Sequence, residues 1–208
     1  LTELLFALGL GRYLVARTGF CLHPVGEVSR IPKVGGTKDV NLAKLRRLAP
    51  THVLLNVDEN RREIVDALKA WGADAMPRLV VTHPLAPHDN LALIEQMRAE
   101  FGHLPQVHEK ADQLAHQFTE ALAATQGDGC AARDVLYLIW RDPWMTVARD
   151  TYLSRMLARI HWHTRPDVEG GAHGAARYPV VQGNEAWLTA VQTVLLSSEP
   201  YAFGEADI

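Results

Sequence analysis

Short apolar runs of strand length alternate with helix-forming stretches twice along this chain, and a long, almost wholly helical segment separates the two passages. The first passage holds HVLLNV (52–57) and RLVVTH (78–83); the second holds VLYLIW (135–140) and TVLLSS (193–198). A continuous apolar run of this length is the pattern of a strand covered on both faces. Strands that alternate with helices build parallel sheets, because a parallel pair needs a crossover between its members. The chain therefore reads as α/β: two Rossmann-like lobes with mainly parallel sheets, bridged by one long backbone helix. The expected boundaries are 1–103 for the N-terminal lobe, 104–127 for the bridging helix and 128–208 for the C-terminal lobe.

Local signals refine this. Thr2 is expected to cap a helix over 2–9 that Gly9 and Gly11 end, and YLVART (13–18) to form a strand. Asn41 is expected to cap a helix over 42–48 that Pro50 breaks, and Asn60 to begin another that runs through Ile64, Leu68 and Trp71 to Gly72. Residues 90–126 read as helical with a break near Gly102 and Pro105. Their second part carries Val107, Ala111, Leu114, Ala115, Phe118 and Leu122 on one stripe, and GDGCA (127–131) ends it. Helices are expected over DTYLSRMLARI (150–160) and NEAWLTA (184–190), with a Gly/His-rich loop at 164–177 between them.

Composition removes several classes of function. The 208 residues carry 21 basic and 24 acidic side chains, a formal charge of −3, so the clustered basic excess of a nucleic-acid binder is missing. No uncharged apolar run approaches the roughly 20 residues that span a bilayer. Cys21 and Cys130 are too few for a disulfide framework or a zinc ribbon and read as two spare thiols, with a single bridge between them as the alternative. Residues 1–10, LTELLFALGL, include Glu3 and no basic stretch, so they do not read as a secretory signal. A chain seldom begins on a helix cap, which makes a trimmed piece of a longer protein the expectation. Ten histidines fall in no HExxH or paired-cysteine spacing, and no nucleophile elbow, Walker loop or dinucleotide fingerprint occurs. Neither a metal site nor an enzyme is expected.

In open α/β sheets ligands bind beyond the carboxyl ends of the strands, here the segments after residues 17, 57, 83, 140 and 198. The segment Trp140-Arg141-Asp142-Pro143-Trp144-Met145-Thr146 gathers two indoles, a thioether and a guanidinium. This set suits a large, flat, partly apolar ligand with peripheral acid groups; the plain alternative is a core Trp140 with a surface Arg141–Asp142 pair. A second set comprises Phe20 and the loop Gly35-Gly36-Thr37-Lys38, where adjacent glycines allow close backbone approach or merely make a turn. Glu59, in the cluster Asn56…Glu59-Asn60, either lines the binding cleft or favours a helix N-terminus electrostatically. Ser198-Glu199-Pro200-Tyr201 is similar in kind.

The runs LTELLFALGLG, PKVGGTKDVNLAKLRRLAP, VLLNVDENRREIVDAL, VLYLIWRDPWMTVARDTYLSRML and VLLSSEPYAF, in that order, resemble the helical-backbone (class III) substrate-binding proteins of ABC importers. Within that family the similarity leans to the cobalamin and ferric-siderophore receptors. The resemblance implies two α/β lobes joined by a long helix and a receptor that captures a corrinoid, siderophore or haem chelate between them and hands it to a membrane permease. It implies a periplasmic or membrane-anchored extracytoplasmic monomer with no cofactor of its own; a cytoplasmic place is kept open because no signal peptide is visible. By position it makes Phe20 a cleft aromatic and puts Thr37 where cobalamin receptors present an indole. The WRDPWM loop and Tyr178 fall at cleft positions of the second lobe, and Lys38 and Arg141 are assigned to peripheral acids. Glu185 falls near a permease-docking position, whereas Ala43, followed by Lys44, stands where the first lobe's docking acid is expected. The competing expectations are a cytoplasmic bilobal tetrapyrrole chelatase and a soluble binding protein repurposed for sensing or storage.

Overall fold

The computed structural model describes residues 1–126, 129–171, 173–198 and 201–207. The chain divides into two compact units, one of Leu1–His83 with Leu93–His116, the other of Pro84–Ala92 with the chain from Gln117 onward.

In the first unit α1 (Thr2–Ala7) leads through Gly9, in the left-handed region at φ +77°, to the buried Leu8 and Leu10 around that turn. Thr2 lies inside α1 rather than capping it; its hydroxyl donates to Cys21 Sγ at 3.0 Å instead. Residues 13–18 do not form the expected strand. Arg17 alone pairs, in one parallel bridge with Lys33, and its buried side chain donates to the carbonyls of Ile31, Thr18 and Cys21, which holds the segment as a loop. Asn41 does cap α2 (Leu42–Arg47): its Oδ1 accepts from the Lys44 N–H at 2.8 Å.

Strand β1 (His52–Asn56) precedes α3 (Arg62–Lys69), and β2 (Arg78–Thr82) then pairs parallel with β1, His52 opposite Arg78 and Asn56 opposite Thr82. Of β1 only Leu55 is fully buried, and Val81 of β2 is 49% exposed. The apolar runs are thus half-covered rather than covered on both faces, because two strands make up this sheet among the described residues. Leu55 joins Val34, Leu45, Ile64 and Leu68 in one core cluster, with Trp71 and Leu79 against it.

Helix α4 (Asp89–Phe101) buries Ile94, Met97 and Phe101, and α5 (Val107–Ala124) follows the break at Gly102 to Gln106. Its 18 residues extend about 27 Å. The apolar stripe is there: Val107 and Ala111 are buried, and Leu114, Ala115, Phe118 and Leu122 are half-buried. Residues up to His116 belong to the first unit and those from Gln117 to the second. Gly127 and Asp128 of the expected helix stop lie outside the described residues.

The second unit is built on a three-stranded parallel sheet. β3 (Arg133–Leu138) is central, flanked by β4 (Trp162–Thr164) and β5 (Thr193–Leu196). Helix α6 (Tyr152–Ala158) precedes β4 and is capped by Thr151, whose Oγ1 accepts from the Ser154 N–H. Ser154 in turn shares a 2.5 Å hydrogen bond with Thr164 at the end of β4. Val135, Leu136, Leu138, Val147, Ala148 and Leu157 are buried here, with Val135 and Leu136 on opposite faces of the sheet. Residues 186–190, inside the expected helix 184–190, form a 3-10 turn.

Candidate ligand-binding site

Parallel neighbours release their following segments at the same sheet edge. β3 and β5 pair from Val135↔Thr193 to Leu138↔Leu196, so the loop that begins at Trp140 and the segment that follows Ser197 start side by side. The first is a tight hairpin. The Ile139 N–H donates to the Met145 carbonyl at 2.9 Å, the Met145 N–H returns to Trp140 at 3.0 Å, and Asp142 takes the left-handed turn position at φ +60°. Trp140 and Met145 stand opposite each other, which puts both on one face. Residues 177–181 run along the other side: Val181, Thr146 and Ala148 N–H groups bond across to Trp144, Pro179 and Arg177 carbonyls, and Met145 bridges Val180. Tyr178, half-buried, is thereby carried next to the hairpin.

Two buried groups anchor this layout. Thr146 Oγ1 donates to the Tyr137 carbonyl at 2.8 Å and to the Arg165 carbonyl at 3.3 Å. Arg177, 2% exposed, donates to the Gly171 carbonyl at 2.7 Å. Gly170 makes room for it, since a Cβ there would lie 2.4 Å from the Arg177 Cα.

Residues 201–207 complete an aromatic cluster over the hairpin. Tyr201 meets Trp140 edge to face with centroids 5.6 Å apart, Phe203 stacks parallel to Trp144 at 6.0 Å, and Tyr201 and Phe203 touch at 4.6 Å. The Arg141 guanidinium lies 5.6 Å from the Trp144 ring centroid and forms an ion pair with Asp207. Asp207 also accepts from the Gly204 N–H at 2.8 Å. That N–H, followed by the Arg141 charge, holds the Asp207 carboxyl below its ordinary range, and Asp207 holds Arg141 above its own. Trp140 remains 40% exposed. Of these partners only Tyr201 stood among the sequence-read candidates. Phe203 and Asp207 did not, although two aromatics spaced by two after a strand are a readable sign of an extended segment with one wet and one packed side. Glu199 and Pro200 lie outside the described residues.

The residues expected in the first unit come together at the carboxyl end of β1. The Asn60 side chain does not cap α3, which starts after Arg61. Its Oδ1 accepts from the Asn56 N–H and its Nδ2 donates to the Thr37 carbonyl, both at 2.8 Å, tying the strand end to the glycine loop. Thr37 then reaches Glu59 through a 3.4 Å hydroxyl–carboxylate contact. Gly35 sits at φ +100°, and a Cβ there would lie 2.3 Å from the Asp39 carbonyl oxygen, so this turn needs glycine. Phe20 is 59% exposed, its ring next to Gly36. Lys38 is exposed and, with Asp39, Arg61 and Glu63, rims a depression of about 650 Å³ floored by Val40, Leu42 and Ile64. One pair went unread in the sequence: Asp58 and His83 follow β1 and β2, and their side chains approach to 3.5 Å while mostly buried.

Glu185 spends its carboxylate locally. It accepts from the N–H groups of Gln182 at 2.7 Å and Gly183 at 2.8 Å, and the Gln182 bond leads in lowering its pKa. Cys21 and Cys130 are free thiols. Among the described residues no group of three or more His, Cys, Asp and Glu gathers as a metal site, and no helix is long and apolar enough to cross a membrane.

No family model matches the chain, and no curated protein matches it. Solved structures do. The chain is similar to the periplasmic vitamin B12 binding protein BtuF of Vibrio cholerae, with a TM-score of 0.76 and 18% identity over 94% of this chain and 72% of that one. It is similar to the periplasmic heme-binding protein RhuT of Roseiflexus sp. RS-1, with a TM-score of 0.70 and 22% identity over 86% of this chain and 66% of that one. A substrate-binding protein of an ABC transporter from Listeria monocytogenes EGD-e gives 0.61 and 16% over 87% and 65%. The chain thus spans about two thirds to three quarters of the length of these proteins, and it shares their fold.

Proposed function

We propose that this protein is the substrate-binding receptor of an ABC importer and that its cargo is a metal chelate of the corrinoid, siderophore or haem kind. The observation that carries the reading is the aromatic hairpin at the shared edge of β3 and β5. There a 40% exposed Trp140, the thioether of Met145 and the ion-paired Arg141 stand on a backbone fixed by the buried Thr146 and by residues 177–181. Flat, partly apolar chelates are held by such surfaces through ring contact and a few polar groups at the rim. The fold likeness to proteins named for vitamin B12 and heme supports the same chemistry.

On this reading Trp140, Trp144, Met145 and Tyr178 form apolar wall in the second unit and Arg141 meets the ligand rim; within the first unit Phe20, Thr37, Lys38 and Glu59 are the candidate ligand contacts. The metal travels inside the chelate, so the protein supplies no ligand to it and no catalysis. The receptor works as a monomer on the extracytoplasmic side, and Glu185 takes part in docking to the permease.

A thermal-shift titration of the purified chain with cyanocobalamin, dicyanocobinamide, haemin and ferric siderophores tests this. A ligand at 100 times its dissociation constant stabilises the folded state by about 2.7 kcal/mol, which at this chain length raises the melting temperature by about 5–10 °C. At least one member of the panel is expected to do so. A panel with no responder, or metal insertion into a free porphyrin by the purified protein, overturns the receptor reading.

A further inference from the structure

We infer that the site selects a chelate whose rim is neutral and amide-bearing over one whose rim is carboxylate; this rests on the receptor reading above. The inference comes from how the charges of the hairpin are already spent. Within residues 140–146 and 201–207 there is one cation, Arg141, against three carboxylates, Asp142, Glu205 and Asp207. Asp207 is paired directly with the Arg141 guanidinium and is 8% exposed, while Arg141 stays 38% exposed. The Gly204 N–H fixes the second oxygen of Asp207 at 2.8 Å.

An arginine held this way, its side chain still 38% exposed, can donate further hydrogen bonds from its N–H groups but presents no uncompensated positive charge. A carbonyl oxygen of a neutral amide can accept from those N–H groups without penalty. A carboxylate reaching the same N–H groups would stand close to Asp207, in a segment of net negative charge, and would be repelled at a range where solvent screens poorly. Asp207 therefore acts as the residue that sets rim preference: it turns a guanidinium suited to acids into a donor suited to amides. Trp140 and Met145, on one face of the hairpin, supply the ring contact either rim type would share.

The test compares two corrinoids that share ring and metal and differ at the rim: dicyanocobinamide, ringed by amides, and dicyanocobyrinic acid, ringed by carboxylates. Isothermal titration with the full chain at neutral pH is expected to show cobinamide bound at least about tenfold tighter, the size of one close charge repulsion. In Asp207→Asn the ratio is expected to shrink by about tenfold or invert, mainly through tighter binding of the acid. Equal or tighter binding of the acid by the unsubstituted protein overturns the inference, and that comparison needs no variant to fold. An unchanged ratio in an Asp207→Asn protein with native near-ultraviolet circular dichroism overturns it too. So does tight haemin binding with none to either corrinoid, an outcome that leaves the receptor reading standing. Absence of binding by corrinoids, haemin and ferric siderophores alike overturns the receptor reading itself.

Discussion

Thr146 illustrates how much a single hydroxyl does in this protein. It is fully buried, one residue past the hairpin, and it joins the β3 backbone at Tyr137 to the Arg165 carbonyl beyond β4. Thr146→Val keeps the shape and removes the donor, leaving two carbonyls short of a partner. The expected cost is about 1–2 kcal/mol, a fall in melting temperature of about 3–6 °C by calorimetry; a change under 1 °C would show that the hydroxyl is idle. At this scale the sequence exposes residue type well and partnership poorly. Trp140, Arg141, Trp144 and Met145 could be singled out because such side chains on a loop are conspicuous, whereas the contact between Thr37 and Glu59 had no sign in the sequence. Asp207 could not, because the pairing with Arg141 joins positions 66 residues apart and leaves no local pattern. Asn60 misled for the opposite reason: Asn before a helix is a good cap in general, but here its amide has two better partners in Asn56 and Thr37.

Among the elements, those with internal reasons to form were the readable ones. The α5 stripe follows from 3–4 spacing, and β1, β2, β3 and β5 from apolar runs of the right length. β4 escaped notice because three residues, two of them polar, carry no periodicity; it exists because β3 offers an open edge. Residues 13–18 failed as a strand for the converse reason: the run is apolar, but one bridge at Arg17 is the pairing it has. Short α2 depends on its cap. Asn41→Ala is expected to cost about 1 kcal/mol, or about 2–4 °C, while Asn41→Asp, which keeps an acceptor for the Lys44 N–H, should restore most of it. If both variants melt alike, the cap does not hold the helix.

For the whole molecule, pH is the informative variable. Among the described residues four carboxylates lie below their ordinary range, all of them in the second unit. Burial pushes Asp89 and Asp150 upward, but N–H donors from Leu85 and Ala86, and from Gly170 and Gly171, outweigh it; Glu185 and Asp207 are lowered chiefly by Gln182 and Gly204. A carboxylate whose folded pKa is depressed contributes stability that is complete above its unfolded value, about 4, and disappears as pH falls through the folded value. The melting temperature is therefore expected to be level above about pH 5 and to fall steeply below about pH 4. Asp150→Asn should flatten part of that fall. A melting temperature that rises on acidification would contradict the assignment. The overall α/β plan was readable because alternation is a property of the whole chain. The meeting of residues 140–146 with 201–207 was not, since it follows from which strand lies beside β3. That strand order has a consequence for biosynthesis. Translation at about 5–20 residues per second delivers Tyr201 roughly 3–11 s after Thr146. Throughout that interval the two indoles of the hairpin lack Tyr201 and Phe203, and Arg141 lacks Asp207. The nascent chain thus shows an uncovered, cationic aromatic hairpin to whatever attends it at the ribosome until residues 201–207 emerge to cover it.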